Sequence, residues 1–518
     1  MRAVDRREFL KLAGLSAMAA TRSSQGRSIG ASAPNILVFL TDDHGHWAQR
    51  AYGNTEIQCP NLDKLDRRGV RMTRAFTPCP VCSPARASFF TGRMPSQHGI
   101  HDWIEELTHD LTHPGLKDQT LISQLLQSAG YHTALVGKWH CGRSREVHPG
   151  FDRWFSYWIN QYPHAGTQNF SDQGEHFVED GNQSELLTDR AIDFLRSHFK
   201  QRASDPFFLF VGYVDTHAPH TQAPAELVED YGGATLTDIP TETLPACHGR
   251  ALVPVNLDPA LESAHRIDYY AAVSNIDRQV GRVLAELEAR GVLDNTLIVY
   301  TADHGYNAGH HGIWEKGNGT SPQNFLEESI RIPCTISWPA GGVRQDATLG
   351  SMVDHCDLYA TLFDAAGAHV DPRLSAQINS PGRSYLPQLR AQPVGDWRQW
   401  QICEYGNARM IRGARYKLIR RYPFGGVSFP DELYDLRDDP RETVNRIDDR
   451  SLRDLTRVLR SRLNRFFARY TIPSHDGLHL ADQPECTLAS PWLVAVNWAN
   501  QQATRPSTAP ASTAPTTR

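Results

Sequence analysis

Three short apolar runs, each discharging into acids or histidines, constrain the fold of this 518-residue chain more than any other feature. Asn35-Ile36-Leu37-Val38-Phe39-Leu40 leads into Thr41-Asp42-Asp43-His44-Gly45. Phe207-Phe208-Leu209-Phe210-Val211 leads to Asp215-Thr216-His217-Ala218-Pro219-His220. Leu297-Ile298-Val299-Tyr300 runs into Thr301-Ala302-Asp303-His304-Gly305. Apolar runs without polar alternation mark strands buried on both faces of a parallel sheet. In open α/β sheets, binding groups gather just beyond the carboxyl ends of strands, so the three ends predict one shared site.

Helical segments alternate with these strands. Leu121 to Ala129 has an apolar face and stops at Gly130, Ile267 to Arg290 is amphipathic and stops at Gly291, and Leu358 to Ala366 stops at Gly367. A glycine just past the last helical residue is the common helix stop. The alternation predicts an α/β class with a central, mostly parallel sheet flanked by helices. A boundary is expected in the Pro-, Gly- and Ser-containing stretch from Asp371 to Arg383. Beyond it, strand-like pieces at Gln401–Glu404, Ala408–Arg412 and Tyr416–Arg420 precede a helix from about Ser451 to Tyr470. The expected layout is therefore a leader and linker at 1–33, a larger catalytic domain at 34–370 and a smaller α+β subdomain with an antiparallel sheet at 371–500. The Thr-, Ala-, Pro- and Ser-rich tail at 501–518 is expected to be disordered.

Composition narrows the function classes. With 58 acidic and 53 basic residues, and no basic stripe interleaved with aromatics, nothing points to nucleic acid or to a membrane surface. Asp5-Arg6-Arg7-Glu8-Phe9-Leu10-Lys11 resembles a twin-arginine export signal. The following Leu12–Ala20 stretch is too short and too rich in Gly, Ala and Ser to span a bilayer. The expectation is export of folded protein by the twin-arginine translocase to periplasm, cell surface or medium. The nine cysteines are scattered, giving no disulfide framework and no zinc pattern. Cys79-Pro80-Val81-Cys82 has redox-motif spacing, but the thioredoxin-like βαβ context that a thiol oxidoreductase needs is missing.

The decisive segment is Cys82-Ser83-Pro84-Ala85-Arg86-Ala87-Ser88-Phe89-Phe90-Thr91-Gly92-Arg93. Pro84 suits the first turn of a helix, where its missing N–H would be unpaired anyway. Residue 82 then stands at a helix N-terminus, where free amides and the dipole favour an anion. Arg86, one turn on, brings a guanidinium to the same end. The plainer alternative is a buried cysteine before a capped helix. Cys-x-Pro-x-Arg followed by Thr-Gly-Arg is the sulfatase signature, and over roughly residues 35 to 445 the chain resembles the type I, formylglycine-dependent sulfatases of the alkaline phosphatase-like superfamily.

That resemblance implies that a formylglycine-generating enzyme oxidises Cys82 to formylglycine, whose hydrated aldehyde is the nucleophile. It assigns Asp42, Asp43, Asp303 and His304, with residue 82, to a metal site. An oxygen-rich site suits calcium or magnesium, although one imidazole is less usual for calcium. Gly137-Lys138-Trp139-His140 matches the second sulfatase signature. Lys138 would contact a sulfate oxygen and the hydrate, and His140 would orient or deprotonate the hydrate. His217 is assigned to sulfate contact and protonation of the leaving alkoxide, with His220 as its rival. In Gly309-His310-His311-Gly312-Ile313-Trp314-Glu315-Lys316, Lys316 would bind sulfate or stabilise the departing oxygen. His311 is expected nearer the substrate than His310, unless either simply packs the loop. Arg86 joins the lysines in balancing negative charge. The matches at Glu327–Pro333, Asp357–Leu362 and Glu432–Leu436 are read as fold.

The implied activity is hydrolysis of a sulfate ester, and export favours a sulfated polysaccharide or glycosaminoglycan. The aromatic cluster Trp154, Phe155, Tyr157 and Trp158 is read as core first and as a sugar-stacking platform second. Two alternatives stay open: a phosphodiester or phosphonate monoester hydrolase of the same superfamily, and a non-catalytic protein binding sulfated glycan. Phosphate chemistry tends to use two metals about 4 Å apart, and the sequence offers ligands for one.

Overall fold

Parallel pairing of the apolar runs organises the molecule. The computed structural model describes residues 33–504 apart from Asn160, Gln161, Thr241 and His369. The export motif, most of the linker and the tail beyond 504 lie outside the described residues. The main sheet is built from β1 (Asn35–Thr41), β2 (Val70–Met72), β3 (His132–Gly137), β4 (Arg153–Tyr157), β5 (Ala165–Asp172), β6 (Glu175–Asn182), β7 (Phe207–Tyr213), β8 (Thr296–Ala302), β9 (Cys334–Ser337) and β10 (Ala347–Leu349). Its spatial order is β10-β2-β9-β8-β1-β7-β3-β4-β5-β6. The centre, β8-β1-β7-β3-β4, is parallel; antiparallel β5 and β6 close one flank, and antiparallel β9 leads to a parallel β2–β10 pair at the other. β1, β7 and β8 are buried along their whole length, as their unbroken apolar sequences require.

Helices Gln183–Gln201 and Pro259–Ala289 contribute to one large core through Leu187, Leu195, Tyr269, Val280 and Val283, together with Phe39, Leu209 and Tyr300 of the sheet. The long helix begins at Pro259, well before the expected Ile267. Pro259 occupies the first turn and the Asp258 side chain accepts from Ala260 N–H. This opening faces solvent, with Leu261 58% exposed, so it lacks the apolar stripe that reveals the rest.

The smaller sheet, β11 (Gln401–Tyr405), β12 (Ala408–Arg412), β13 (Tyr416–Arg421) and β14 (Glu432–Asp435), is an antiparallel meander. Its side chains alternate between two cores, as the period of two demands. Cys403, Tyr405, Met410, Ile419 and Tyr434 pack with Cys79 and Val81, just ahead of Cys82. Ile402, Ile411, Leu418 and Leu433 pack on Leu459, Leu463 and Phe467 of helix Arg453–Tyr470. The stretch at 371–383 carries a helix, Pro372–Ile378, and is tied back by Ser380 Oγ to Gly92 O (2.6 Å) and Arg383 N to Asp357 Oδ1 (2.8 Å). At the C-terminal end, helix Pro491–Thr504 runs past the expected onset of disorder at 501. It docks because Trp492 fills the core beside Tyr405, with ring centroids 5.6 Å apart. Among the described residues, no helix is long and apolar enough to cross a membrane.

Buried ions join the smaller sheet to the loops of the larger one. Lys417 Nζ on β13 donates to Phe325 O (2.8 Å) and pairs with Glu327 (2.9 Å) and Glu442 (2.6 Å). Arg412 also holds Glu327, at 2.7 Å. Removing one member of a buried ionic cluster leaves the others uncompensated, at a cost of about 3–5 kcal/mol. Lys417→Met is therefore expected to lower the unfolding free energy, read from denaturant titration, by that amount, and adding Glu327→Gln with Glu442→Gln should recover part of it.

Candidate active site

Four neighbouring parallel strands end at one level and deliver four sets of polar residues. The backbone ladder continues one step past the strands: Asp42 N donates to Tyr213 O (3.1 Å), Asp303 N to Thr41 O (3.0 Å) and Lys138 N to Gly212 O (2.9 Å). β1 thus presents Asp42 and Asp43, β8 presents Asp303 and His304, β3 presents Lys138 and His140, and β7 presents His217. Gly212 lets β3 and β7 approach closely, since a Cβ there would lie 2.7 Å from Lys138 O.

Helix Cys82–Thr91 points its N-terminus into this level. All ten of its residues are buried, and it ends at Gly92, whose φ of 67° and contact with the Tyr359 ring leave no room for a side chain. Arg86 fixes the helix to the strand ends, with Nε donating to Asp303 Oδ2 (2.8 Å) and Nη1 to Lys138 O (2.8 Å). Cys82 Sγ lies 3.2 Å from His304 Nε2. Cys79, by contrast, lies in the core beneath the smaller sheet, and both thiols are free.

Ligand atoms of Asp42, Asp43, Cys82 and His304 all lie within 4.8 Å of one another. Asp303 adjoins them, with Oδ1 3.4 Å from His304 Nε2 and its other oxygen on Arg86. Asp42 Oδ1 is buried without a hydrogen-bond partner, and Asp43 Oδ1 has the Lys316 ammonium beside it. Buried carboxylate oxygens converging on one point fit a hard divalent cation. Lys138 pairs with Asp42, and Lys316 Nζ with Asp43 Oδ1 at 2.8 Å.

Burial dominates the electrostatics. It pushes the Cys82 thiol well above its ordinary range, and Asp42 adds to the effect, so an unaltered thiol there stays protonated and a poor nucleophile. Burial also acts on Asp42, but Lys138, His217, Arg86 and Lys316 outweigh it and hold that carboxyl well below its usual range. Burial, followed by Lys316, drives His217 and His304 well below the usual imidazole range, and burial with Lys138 does the same to His140. Lys316 keeps its proton because Asp43, Cys82 and Glu315 overcome the burial penalty.

His217 stands 3.4 Å from Lys316 Nζ and 3.8 Å from Asp43, and Tyr162 Oη lies 2.7 Å from its Nδ1. His220 points elsewhere, to His265 at 3.0 Å among Tyr269, Tyr306 and Trp314. His311, expected at the substrate, is fully buried away from the cavity: Nε2 bonds Glu328 at 2.9 Å and Nδ1 faces Glu242 at 3.6 Å. Two acids of a buried network claim the ring, and a loop reading could not reveal them. Trp154, Phe155 and Tyr157 are core residues of the sheet.

A cavity of about 530 Å³ opens above Cys82, lined also by His140, Tyr162, His217 and Lys316. Trp103, Glu106, Glu315, Asn318, Ala489 and Val494 contribute further, and sequence reasoning gave none of them a role. They come from separate loops without a shared motif, and only the placement of Glu315 beside Lys316 offered a signal.

Comparison with known proteins identifies the family. The sulfatase family profile matches residues 34–368, and a profile for the C-terminal part of N-sulphoglucosamine sulphohydrolase matches residues 309–469. An N-acetylglucosamine-6-O-sulfatase of Bacteroides thetaiotaomicron is 28% identical, with 80% of this chain and 82% of that protein covered. The human N-acetylgalactosamine-6-sulfatase is 28% identical, with 70% and 67% covered. A solved complex with D-glucosamine-2-N,6-O-disulfate as substrate superposes with a TM-score of 0.72 at 25% identity, over 84% of this chain and 98% of that one. The phosphonate monoester hydrolase of Agrobacterium radiobacter shares the fold, with a TM-score of 0.66 at 20% identity over 84% and 96% of the two chains. With most of its length matched by the family profile, the chain belongs to the sulfatase family and is a sulfuric ester hydrolase.

Proposed function

We propose that the chain hydrolyses a sulfate ester of a carbohydrate, using a formylglycine made from Cys82 and a divalent cation, calcium or magnesium. The observation that carries this reading is the convergence of Asp42, Asp43, Cys82 and His304 at a buried helix N-terminus between two lysines. Asp42, Asp43, Asp303 and His304 would hold the cation, with residue 82 beside it. The bound cation supplies Lewis acidity toward a sulfate oxygen. The formylglycine hydrate supplies one hydroxyl for attack and a second whose deprotonation releases sulfate.

The remaining residues prepare the ester and dispose of protons. Lys138 and Lys316, bonded to Asp42 and Asp43, bring ammonium charge to the incoming anion. Arg86 fixes the helix that carries residue 82. His217 can donate through Nδ1 to Ala218 O (2.7 Å), which directs Nε2 to the site. An anionic ester arriving there favours the charged ring, which then hands a proton to the departing oxygen. His140 Nε2 is anchored on Ile104 O at 2.9 Å, leaving Nδ1 to take a proton from the hydrate. Relatives named for hexosamine sulfates support a carbohydrate leaving group.

The export motif at Asp5–Lys11 supports delivery by the twin-arginine translocase, and modification at Cys82 calls for a formylglycine-generating enzyme as partner. We also keep the division into residues 34–370 and 371–500 as the working domain layout.

Mass spectrometry of the peptide spanning residue 82 should find the aldehyde. Cys82→Ala should abolish turnover and Cys82→Ser nearly stop it; an intact thiol with full activity sinks the reading. Chelation should lower activity at least tenfold, with recovery on adding calcium or magnesium. Arg86→Lys, which cannot reproduce the fork to Asp303 and Lys138 O, is expected to lose about 10²–10³-fold in kcat. Faster turnover of a phosphodiester than of any sulfate ester would instead favour the phosphoryl-transfer branch of the superfamily.

A further inference from the structure

Helix Arg453–Tyr470 carries six arginines and one acid, Asp454, in a chain whose formal charge is -5. Leu459, Leu463 and Phe467 commit one face to the core on the smaller sheet, which leaves the arginines on the outer face. Arg453 and Arg457, Arg457 and Arg460, Arg462 and Arg465, and Arg465 and Arg469 stand three or four positions apart. At that spacing like charges oppose helix formation. Arg453 also opens the helix, at the end where the backbone dipole is already positive. So much unfavourable charge on one face calls for an anion from outside the helix.

Nearby acids do not neutralise it. Asp454 pairs with Arg457 at 2.6 Å, with both side chains largely in water. Asp431 lies 2.9 Å from Arg460 and 2.9 Å from Arg420, so one carboxylate meets two guanidinium groups. Arg462 lies over the Trp400 ring, 4.7 Å from its centroid. Among the described residues, Arg453 and Arg465 have no acid partner.

Two cavities follow this face. One of about 770 Å³ lies between Ile447 and the helix and is lined by Arg453, Arg457, Arg460 and Arg465. Another of about 230 Å³ is lined by Arg462, Arg465, Trp400 and Phe466. Arg465 borders both. Asp354, the one acid among the described lining residues of either, is held by Arg398 at 2.9 Å. At 1.5 Å per residue, Arg453 and Arg465 stand about 18 Å apart along the helix axis, farther than one sugar ring reaches.

The smaller sheet separates this groove from the catalytic site. Ile402, Ile411, Leu418 and Leu433 face the helix, while Cys403, Tyr405, Met410 and Ile419 face Cys79 and Val81 on the other side.

A row of guanidinium groups along an elongated groove suits an extended polyanion, because each planar fork can take two oxygens of a sulfate group. A bilayer surface would need apolar anchors, and Val458, 44% exposed, is the one exposed large hydrophobic side chain of this helix. Nucleic-acid bases would need open aromatic faces, whereas Trp400 packs against the core with Arg462 over its ring. We propose that this groove is a second, non-catalytic site that holds an extended sulfated polysaccharide and keeps it near the enzyme. The choice of a carbohydrate polyanion rests on the carbohydrate sulfatase reading above.

Binding is measured on the full-length chain carrying Cys82→Ala, which removes turnover. Probes are dextran sulfate, a sulfated disaccharide, neutral dextran, vesicles of phosphatidylcholine with phosphatidylglycerol, and a short DNA duplex. Dextran sulfate is expected to bind most tightly, with affinity falling at least tenfold between about 50 and 200 mM salt. Neutral dextran should not bind. Adding Arg453→Gln, Arg457→Gln and Arg465→Gln together should weaken dextran sulfate binding at least tenfold and change disaccharide binding less than twofold. In the aldehyde-bearing enzyme, the same three changes should leave turnover of 4-nitrophenyl sulfate within twofold. Undiminished dextran sulfate binding by the triple variant, an equal loss for the disaccharide, or tighter binding of vesicles or duplex would each overturn the proposal. So would a fall in 4-nitrophenyl sulfate turnover matching the loss of binding, which would assign these arginines to the fold. Absence of turnover of every sulfate ester by the unsubstituted, aldehyde-bearing enzyme would instead count against the parent reading.

Discussion

Three carboxylates and three cations share one buried space, and the larger sheet is arranged around that balance. Asp42 faces Lys138, Asp43 faces Lys316 at 2.8 Å, and Asp303 faces Arg86 at 2.8 Å, all of them buried. An unpaired ion in such a place costs several kcal/mol, so each group is tolerable only while its partner stands opposite. The partners come from β1, β3, β8, helix Cys82–Thr91 and the loop holding Lys316. Register therefore matters doubly. A one-residue slip of β1 against β8 would exchange the side chains facing the two cores and draw Asp42 and Asp43 away from Lys138 and Lys316.

The loop that brings Lys316 into this arrangement is itself held from behind. Asn324 Nδ2 donates to Lys316 O (2.8 Å), and Lys417 of the smaller sheet donates to Phe325 O (2.8 Å). Glu328 takes His311 and Arg441, while Glu327 takes Arg412 and Lys417. The C-terminal sheet thus acts on the chemistry from one layer away: it supplies none of the groups around Cys82 but fixes the loop that supplies one. This explains why residues so far apart in sequence carry recognisable motifs, since the acids at 327 and 328 have partners at 412, 417 and 441.

Much of this was legible in the sequence because burial writes a simple pattern. β1, β7 and β8 are buried on both faces, so their apolar runs stood out, and each strand ended at the residues that now meet. Helix Cys82–Thr91 was marked by its proline in the first turn. What the sequence hid depended on partners that no local period encodes. The first turns of helix Pro259–Ala289 face water and show no stripe. His311 had an acid waiting 17 positions away at Glu328 and another at Glu242. The cavity wall was least visible, because Trp103, Val253, Glu315 and Val494 converge from loops and a terminal helix that share only their destination.

Cys82 is 2% exposed, on a helix with all ten residues buried beneath both sheets. A small ester can reach it through the cavity, but a second protein cannot. Any enzyme that alters this side chain must therefore act while the chain is still open. Residues 472 to 494 anchor against segments near 96 to 105, so the enclosure closes only after residue 494 has been synthesised and released for folding. The interval between synthesis of residue 82 and arrival of helix Pro491–Thr504 sets the time available for that alteration.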